Sequence, residues 1–214
     1  MCAAIVYKDS RGKRIPSVTT ILGQLGWNKS PLMYWANKAG REGLTLAEAR
    51  DTEATAGTVA HEMCSADVTG SEQPDISNYS AEIRAKAEQS FESYLHWKEM
   101  TKMEIILSEV SLVSNQYGYG GTIDAVAKIN DEIAILDFKT GGCYPDHLLQ
   151  VAAYVELWNE NYPGEEAESI HLLRINKETA AFSHHMHREW GLPLDAFHLC
   201  HDLYDHEKII KKMV

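Results

Sequence analysis

Closely spaced cysteines are the first thing this sequence lacks. Its four, Cys2, Cys64, Cys143 and Cys200, are widely separated, and none falls in a C-x-x-C pair. Structural zinc sites and clustered iron–sulfur centres need such spacing, so neither is expected, and the four read as free, mostly buried thiols. Long apolar runs are missing too. Nothing approaches the roughly 18 residues of a membrane span, and the N-terminus has neither a signal-peptide core nor an Arg-rich, acid-poor leader. The matching expectations are a reducing, cytoplasmic setting and no membrane partner. Positive charge is also scarce. Twenty Lys and Arg against 31 Asp and Glu leave a net charge of −11, which argues against a chain that coats nucleic acid nonspecifically. It leaves room for acids gathered around a bound cation.

What is present fits one globular domain over 1–214, large enough for a proper core. Residues 1–100 read as an N-terminal hairpin followed by helices. The hairpin turns at Asp9–Gly12 and stops at Pro16. Helical turns then run from Ser17 to Gly26, and a helix starts at Ser30–Pro31 and stops at Gly43. A largely helical stretch over 45–70 is interrupted at Gly57. A long amphipathic helix around 79–100 carries Ile83, Ala87, Phe91, Tyr94, Leu95 and Trp97 near one side. Residues 104–190 read as a three-stranded meander, a helix ending before Pro163 and a last hairpin around Asn176–Thr179. A helix over 193–214 closes the chain, with lysines suited to its negative end. The class is α/β or α+β, with a central sheet covered by helices.

The meander holds a puzzle. "TIDAVAKINDEIAILDFKTG" (122–141) alternates apolar and polar residues as two half-buried strands should. With Asn130 and Asp131 at the turn, Ile129 faces Glu132 and Asp124 faces Asp137. Lys139 shares the face of Asp137, while Ile123, Ala125, Ala127, Ile129, Ala134, Leu136 and Phe138 form an apolar face. A turn centred between Gln116 and Tyr117 places Glu109 opposite Asp124. Three carboxylates and a lysine then form one row. Like charges directly opposed are destabilising, so the row is expensive unless a cation sits among them.

Further residues bear on that row. His61 and Glu62 lie in "AGTVAHE", and Gln150 and Tyr154 share one helix face in "QVAAY". Basic residues cluster at Lys8, Arg11, Lys13 and Arg14, then at Lys29, Lys38 and Arg41. His184, His185 and His187 resemble a metal cluster, but only His185 and His187 share a strand face, and plain surface residues are expected.

Taken in order, "GTVAH" (57–61), "GGTIDA", "LDFKTG" and "QVAAY" resemble the PD-(D/E)XK nucleases, in particular the RecB-like exonuclease branch. "IPSVTTIL" and the Trp-containing helix after it look like phage-encoded and mitochondrial-type members. The proline that often precedes the first acid is replaced by Ile123, as is common in this branch. The cysteine cluster of some relatives is absent, so no iron–sulfur cluster is expected.

The resemblance implies a restriction-endonuclease-like core, a mixed sheet of four or five strands flanked by helices, with an N-terminal helical wall. It implies that Asp124 and Asp137 ligate metal, with the backbone carbonyl of Phe138 and His61 as further ligands. Glu109 would bind a second ion or a metal-bound water. Lys139 would handle the attacking water and the charge of the transition state, and Gln150 and Tyr154 would orient Lys139 or the scissile strand. One or two Mg²⁺ or Mn²⁺ ions suit hard carboxylate oxygens with one imidazole. The implied substrate is DNA with free ends, single-stranded by preference, in a bacterial or phage-infected cell, alongside some recombination or replication protein. Arg11, Lys13, Arg14, Trp35, Lys38 and Arg41 are the expected DNA contacts, and Trp27, Tyr34 and Trp35 offer stacking surfaces. A structure-specific endonuclease and a non-catalytic nuclease-fold module remain as alternatives.

Overall fold

Strand β4, Ser169–Ile175, is buried along nearly its whole length, as a strand covered on both faces must be. Its neighbour β3 (Glu132–Lys139) runs parallel to it. Parallel neighbours need a crossover, and α5 (Pro145–Asn161) supplies it. Strands β1 (Glu104–Ser114), β2 (Tyr119–Ile129) and β5 (Phe182–His187) join antiparallel, so the sheet is mixed and five-stranded, in the order β1-β2-β3-β4-β5. The remaining helices are α1 (Val18–Leu22), α2 (Lys29–Arg41), α3 (Leu46–Thr69), α4 (Ala81–Thr101) and α6 (Gly191–Ile210). This α+β architecture matches a restriction-endonuclease-like core. The computed structural model describes residues 5–27, 29–129, 131–140, 142–177, 179 and 181–214. Cys2 and Asn130, invoked above, lie outside them, as do Gly141 at the end of the meander stretch and Glu178 within the expected last hairpin.

Two cores sandwich the sheet. On one face Val126, Ile135, Ile170 and Leu172 pack with Trp158 and Leu157 of α5, Phe197 of α6 and Val18 and Ile21 of α1. On the other, Ala125, Ala134, Leu136, Phe138 and Leu173 pack with Tyr94 and Trp97 of α4 and Cys64 of α3. The small residues of β2 and β3 let large aromatic rings of α4 sit close to the sheet. Cys64 and Cys200 are buried free thiols, while Cys143 is half-buried. Among the described residues, no helix is long and apolar enough to cross a membrane.

Several local expectations need correction. Helix α1 ends at Leu22 with Gly23 as its cap, short of Gly26, and α2 begins at Lys29, ahead of Ser30. Helix α3 passes through Gly57 unbroken, because one glycine costs a helix only about 1 kcal/mol and α3 is packed along its length. On α4 the buried face is Ala87, Ser90, Tyr94 and Trp97, with Ser93 beside it, while Leu95 is 38% exposed. The serine hydroxyls are satisfied by donating to the carbonyls of Lys86 (2.9 Å) and Gln89 (3.0 Å), which makes them acceptable inside. His184 is half-buried rather than a plain surface residue. It stands edge-on to Trp97, and its Nε2 lies 2.7 Å from Nδ1 of buried His171.

Candidate active site

The register of the meander agrees with the sequence reading along β2–β3 and from Leu107 to Ser114 of β1. A bulge between Ile105 and Leu107 shifts the first pairs of β1 by one residue, so that Ile105 meets Ala127 and Glu104 meets Lys128. Ile129 pairs with Glu132 and Ala125 with Leu136, and on the other side Ser114 pairs with Tyr119 and Val110 with Ile123. The β2–β3 ladder stops at Ala125–Leu136, one step before the two aspartates. There the carboxylate of Asp124 takes over and accepts the backbone N–H of Phe138 at 2.7 Å.

Glu109, on the adjoining strand, has φ +54°. This left-handed conformation typically costs a non-glycine residue on the order of 1–3 kcal/mol, and such strain collects at functional sites. Side-chain alternation also resets here: Ile123 joins the α5-side core, whereas Ala125 and Ala127 join the α4-side core. The straight row of acids and the single apolar face expected from strict alternation are therefore replaced by two adjoining groups.

The first group contains His61, Glu109 and Asp124, each offering a ligand atom within 4.8 Å of the others. Nδ1 of His61 stands 3.9 Å from Oδ2 of Asp124, and its Nε2 lies 3.1 Å from the Phe138 carbonyl. Glu109 reaches solvent, but desolvation by the surrounding walls and the nearby Asp124 charge hold its carboxyl above the usual range.

The second group is a relay. Asp137 has no exposed surface, and its carboxylate lies 2.6 Å from Nζ of Lys139. Neither of its oxygens receives a well-aligned hydrogen bond among the described residues, so burial pushes its carboxyl up against the pull of Lys139. Burial also opposes the Lys139 ammonium, but Asp137 and Asp124 outweigh it and keep this lysine charged. Lys139 donates to Oε1 of Gln150 at 3.1 Å, and Nε2 of Gln150 donates to the Tyr154 hydroxyl at 2.8 Å. Burial holds that phenol protonated.

These donors fit a divalent cation. Two carboxylates, an imidazole and a backbone carbonyl converge, and beside them a fully buried carboxylate lacks aligned hydrogen bonds. An oxygen-rich set with one imidazole suits hard ions.

Both groups open into one cleft of about 1440 Å³. Of the expected DNA contacts only Trp35 lines it. Arg11, Lys13, Arg14, Lys38 and Arg41 lie outside its lining, and several are already engaged: Arg11 with Asp9, Lys38 with Glu42, Arg41 with Asn37. The sequence reading missed Arg50, Lys177, Tyr7 and His147, which do line the cleft. None sits inside a motif. Lys177 is brought in by the β4–β5 connection, where it pairs with Glu53 at 2.8 Å.

Gly57 explains how α3 approaches the site. A Cβ built there would lie 3.0 Å from the hydroxyl of Thr140, the residue after Lys139. Gly57→Ala should therefore displace Thr140 and the end of β3, lowering any divalent-ion-dependent turnover about tenfold while the fold persists. Gly57→Ala with Thr140→Ala should recover most of the rate. Full activity in the single variant would show that the contact does not hold β3 in place.

A search of curated proteins returned no match. The family model of the PD-(D/E)XK nuclease superfamily matches residues 33–213. That span takes in α3 with His61, the meander with its acids and Lys139, and the α5 helix with Gln150 and Tyr154. Covering most of the sequence, the match agrees with the arrangement in the cleft, and the chain belongs to the PD-(D/E)XK nuclease superfamily.

Proposed function

We propose that this nuclease is a metal-dependent exonuclease of the RecB-like type that hydrolyses phosphodiester bonds at DNA ends, with a preference for single strands. The observation that carries the reading is the shared cleft, where the His61–Glu109–Asp124 group adjoins the Asp137–Lys139–Gln150–Tyr154 relay.

In this reading His61, Glu109, Asp124, Asp137 and the Phe138 carbonyl hold one or two Mg²⁺ or Mn²⁺ ions. Once bound, the ion supplies a Lewis acid for the phosphoryl oxygen and makes water a better nucleophile. The remaining work falls to the protein. Gln150 holds the Lys139 ammonium by one of its hydrogens and aims it. Lys139 then positions the attacking water and meets the negative charge that develops on phosphorus-bound oxygen. Tyr154, held as a neutral phenol, fixes the amide of Gln150 and so the direction of the lysine. Burial of Asp137 keeps a compensating charge beside Lys139 and excludes water from behind it.

The preference for unpaired ends is supported by aromatic and apolar residues of the cleft lining. Tyr7, Leu32 and Trp35 line the cleft, and Trp27 and Tyr34 are 51% and 71% exposed nearby in sequence. Aromatic faces stack on unpaired bases without sequence preference.

Incubation with Mg²⁺ or Mn²⁺ and linear single-stranded, linear duplex and closed circular DNA tests the proposal. Linear single strands should disappear first and circles should survive. Cut circles would make the protein an endonuclease, and binding without loss of any substrate would make it a non-catalytic module.

A further inference from the structure

His147 lies in the first turn of α5, inside the cleft, and takes no part in either group described above. Its Nδ1 accepts the backbone N–H of Tyr144 at 3.2 Å, closing the start of the helix. The ring of Tyr144 stands edge-on to the imidazole, 5.6 Å between centroids, and lies so close over Gly142 that a Cβ there would fall 2.9 Å from it. Cap and ring together fix the imidazole. A hydrogen-bonded Nδ1 that accepts leaves the proton on Nε2, and Nε2 has no partner among the described residues.

The ring is also held neutral. Burial first, and then the Lys139 ammonium, lower its pKa to about 4. At neutral pH it is therefore neither a general acid nor, with Nδ1 committed to the cap, a general base. What remains is one oriented, uncharged N–H donor beside a lysine. An ammonium close by favours an anionic acceptor over a neutral one.

We infer that the Nε2–H of His147 is a substrate contact, donating to a non-bridging oxygen of one phosphate in the strand that occupies the cleft. The inference rests on the nuclease reading above and adds to it a fixed point on the sugar–phosphate chain. It assigns His147 to placing the strand rather than to the chemistry, so removing it should appear in binding.

The test compares His147→Ala with His147→Gln. Glutamine keeps an acceptor for the Tyr144 amide and an N–H donor for the substrate, whereas alanine has neither. Binding of a single-stranded oligonucleotide is measured in Ca²⁺, and KM and kcat in Mg²⁺. His147→Ala should raise Kd and KM about tenfold with kcat within threefold of the parent, and His147→Gln should restore both to within threefold. A series of oligonucleotides, each with one phosphate replaced by a neutral methylphosphonate, then locates the contact. At one position the replacement should weaken the parent but not the alanine variant. Unchanged Kd and KM in the alanine variant would overturn the inference, as would a folded glutamine variant that fails to rescue, or an alanine penalty equal at every methylphosphonate position. If alanine prevents folding, the methylphosphonate series on the parent and the glutamine variant decides, since both must then weaken at the same single phosphate. A parent that neither binds nor cuts DNA would sink the nuclease reading itself, a different result from any of these.

Discussion

Lys139→Met should cut cleavage roughly a thousandfold and, in chelator, lower the melting temperature. The activity loss follows from its place at the head of the relay, 2.6 Å from Asp137 and 3.1 Å from Gln150. A single oriented donor of this kind is worth about 10²–10³ in rate. The stability loss follows from burial. Removing one partner of a buried ion pair typically costs about 3–5 kcal/mol, and each kcal/mol moves the midpoint of a domain this size by about 2–4 °C. A fall of about 6–20 °C is the upper range, because Asp137 can take up a proton instead.

That escape gives the effect a pH dependence. Burial already raises the Asp137 carboxyl above its unfolded value, and loss of the lysine raises it further. The folded variant then binds more protons than the unfolded chain from the ordinary carboxyl range up to the raised value, so its stability falls as pH rises through that window. Its deficit against the parent should be smaller at pH 5 than at pH 8. Asp137→Asn combined with Lys139→Met leaves neither charge stranded, and should regain much of the stability and none of the activity. A single variant keeping a tenth of the parental rate would remove Lys139 from the chemistry. One that melts with the parent at pH 8 would show that Asp137 does not depend on it.

Mn²⁺ should raise the melting temperature of the parent by about 5–10 °C at roughly a hundred times its dissociation constant, since binding to the folded state alone then adds about 2.7 kcal/mol. His61→Ala should lose most of this shift and most of the activity, because His61 sits between Asp124 and the Phe138 carbonyl. Glu62→Ala should keep both. Glu62 is exposed and stands outside the His61–Glu109–Asp124 group. A titration in which Glu62→Ala weakens Mn²⁺ binding more than His61→Ala would mean that the wrong neighbour has been taken as the ligand.

Most pairings within the meander were legible because alternation and turn residues fix register near the turn, whereas the bulge after Ile105, far from it, was not. What alternation could not convey was its own failure. Nothing in "LSEVS" signals that Glu109 adopts a left-handed backbone, since that conformation is imposed by the surrounding site rather than preferred by glutamate. The split of the acids into two groups was therefore hidden. His147 was hidden for another reason: in "PDHLLQ" it reads as an ordinary first-turn residue, and only the bond to Tyr144 shows which nitrogen is free. Arg50 and Lys177 reach the cleft from a helix and a distant hairpin, and no short-range pattern links them. Ser90 and Ser93 of α4 escape an apolar pattern altogether, because hydropathy ignores a hydroxyl's bond to its own helix.

The bond from Phe138 to Asp124 makes this aspartate a structural member of the sheet as well as a member of the site. A descendant of this chain that gave up catalysis would not be free to drift there. Alanine at 124 would strip the β2–β3 junction of an acceptor just where the ladder ends, whereas asparagine would keep the amide of Phe138 satisfied while removing the charge. Conserved shape at this position is thus a poor witness to activity, and an inactive relative could carry asparagine there for the sake of its fold alone.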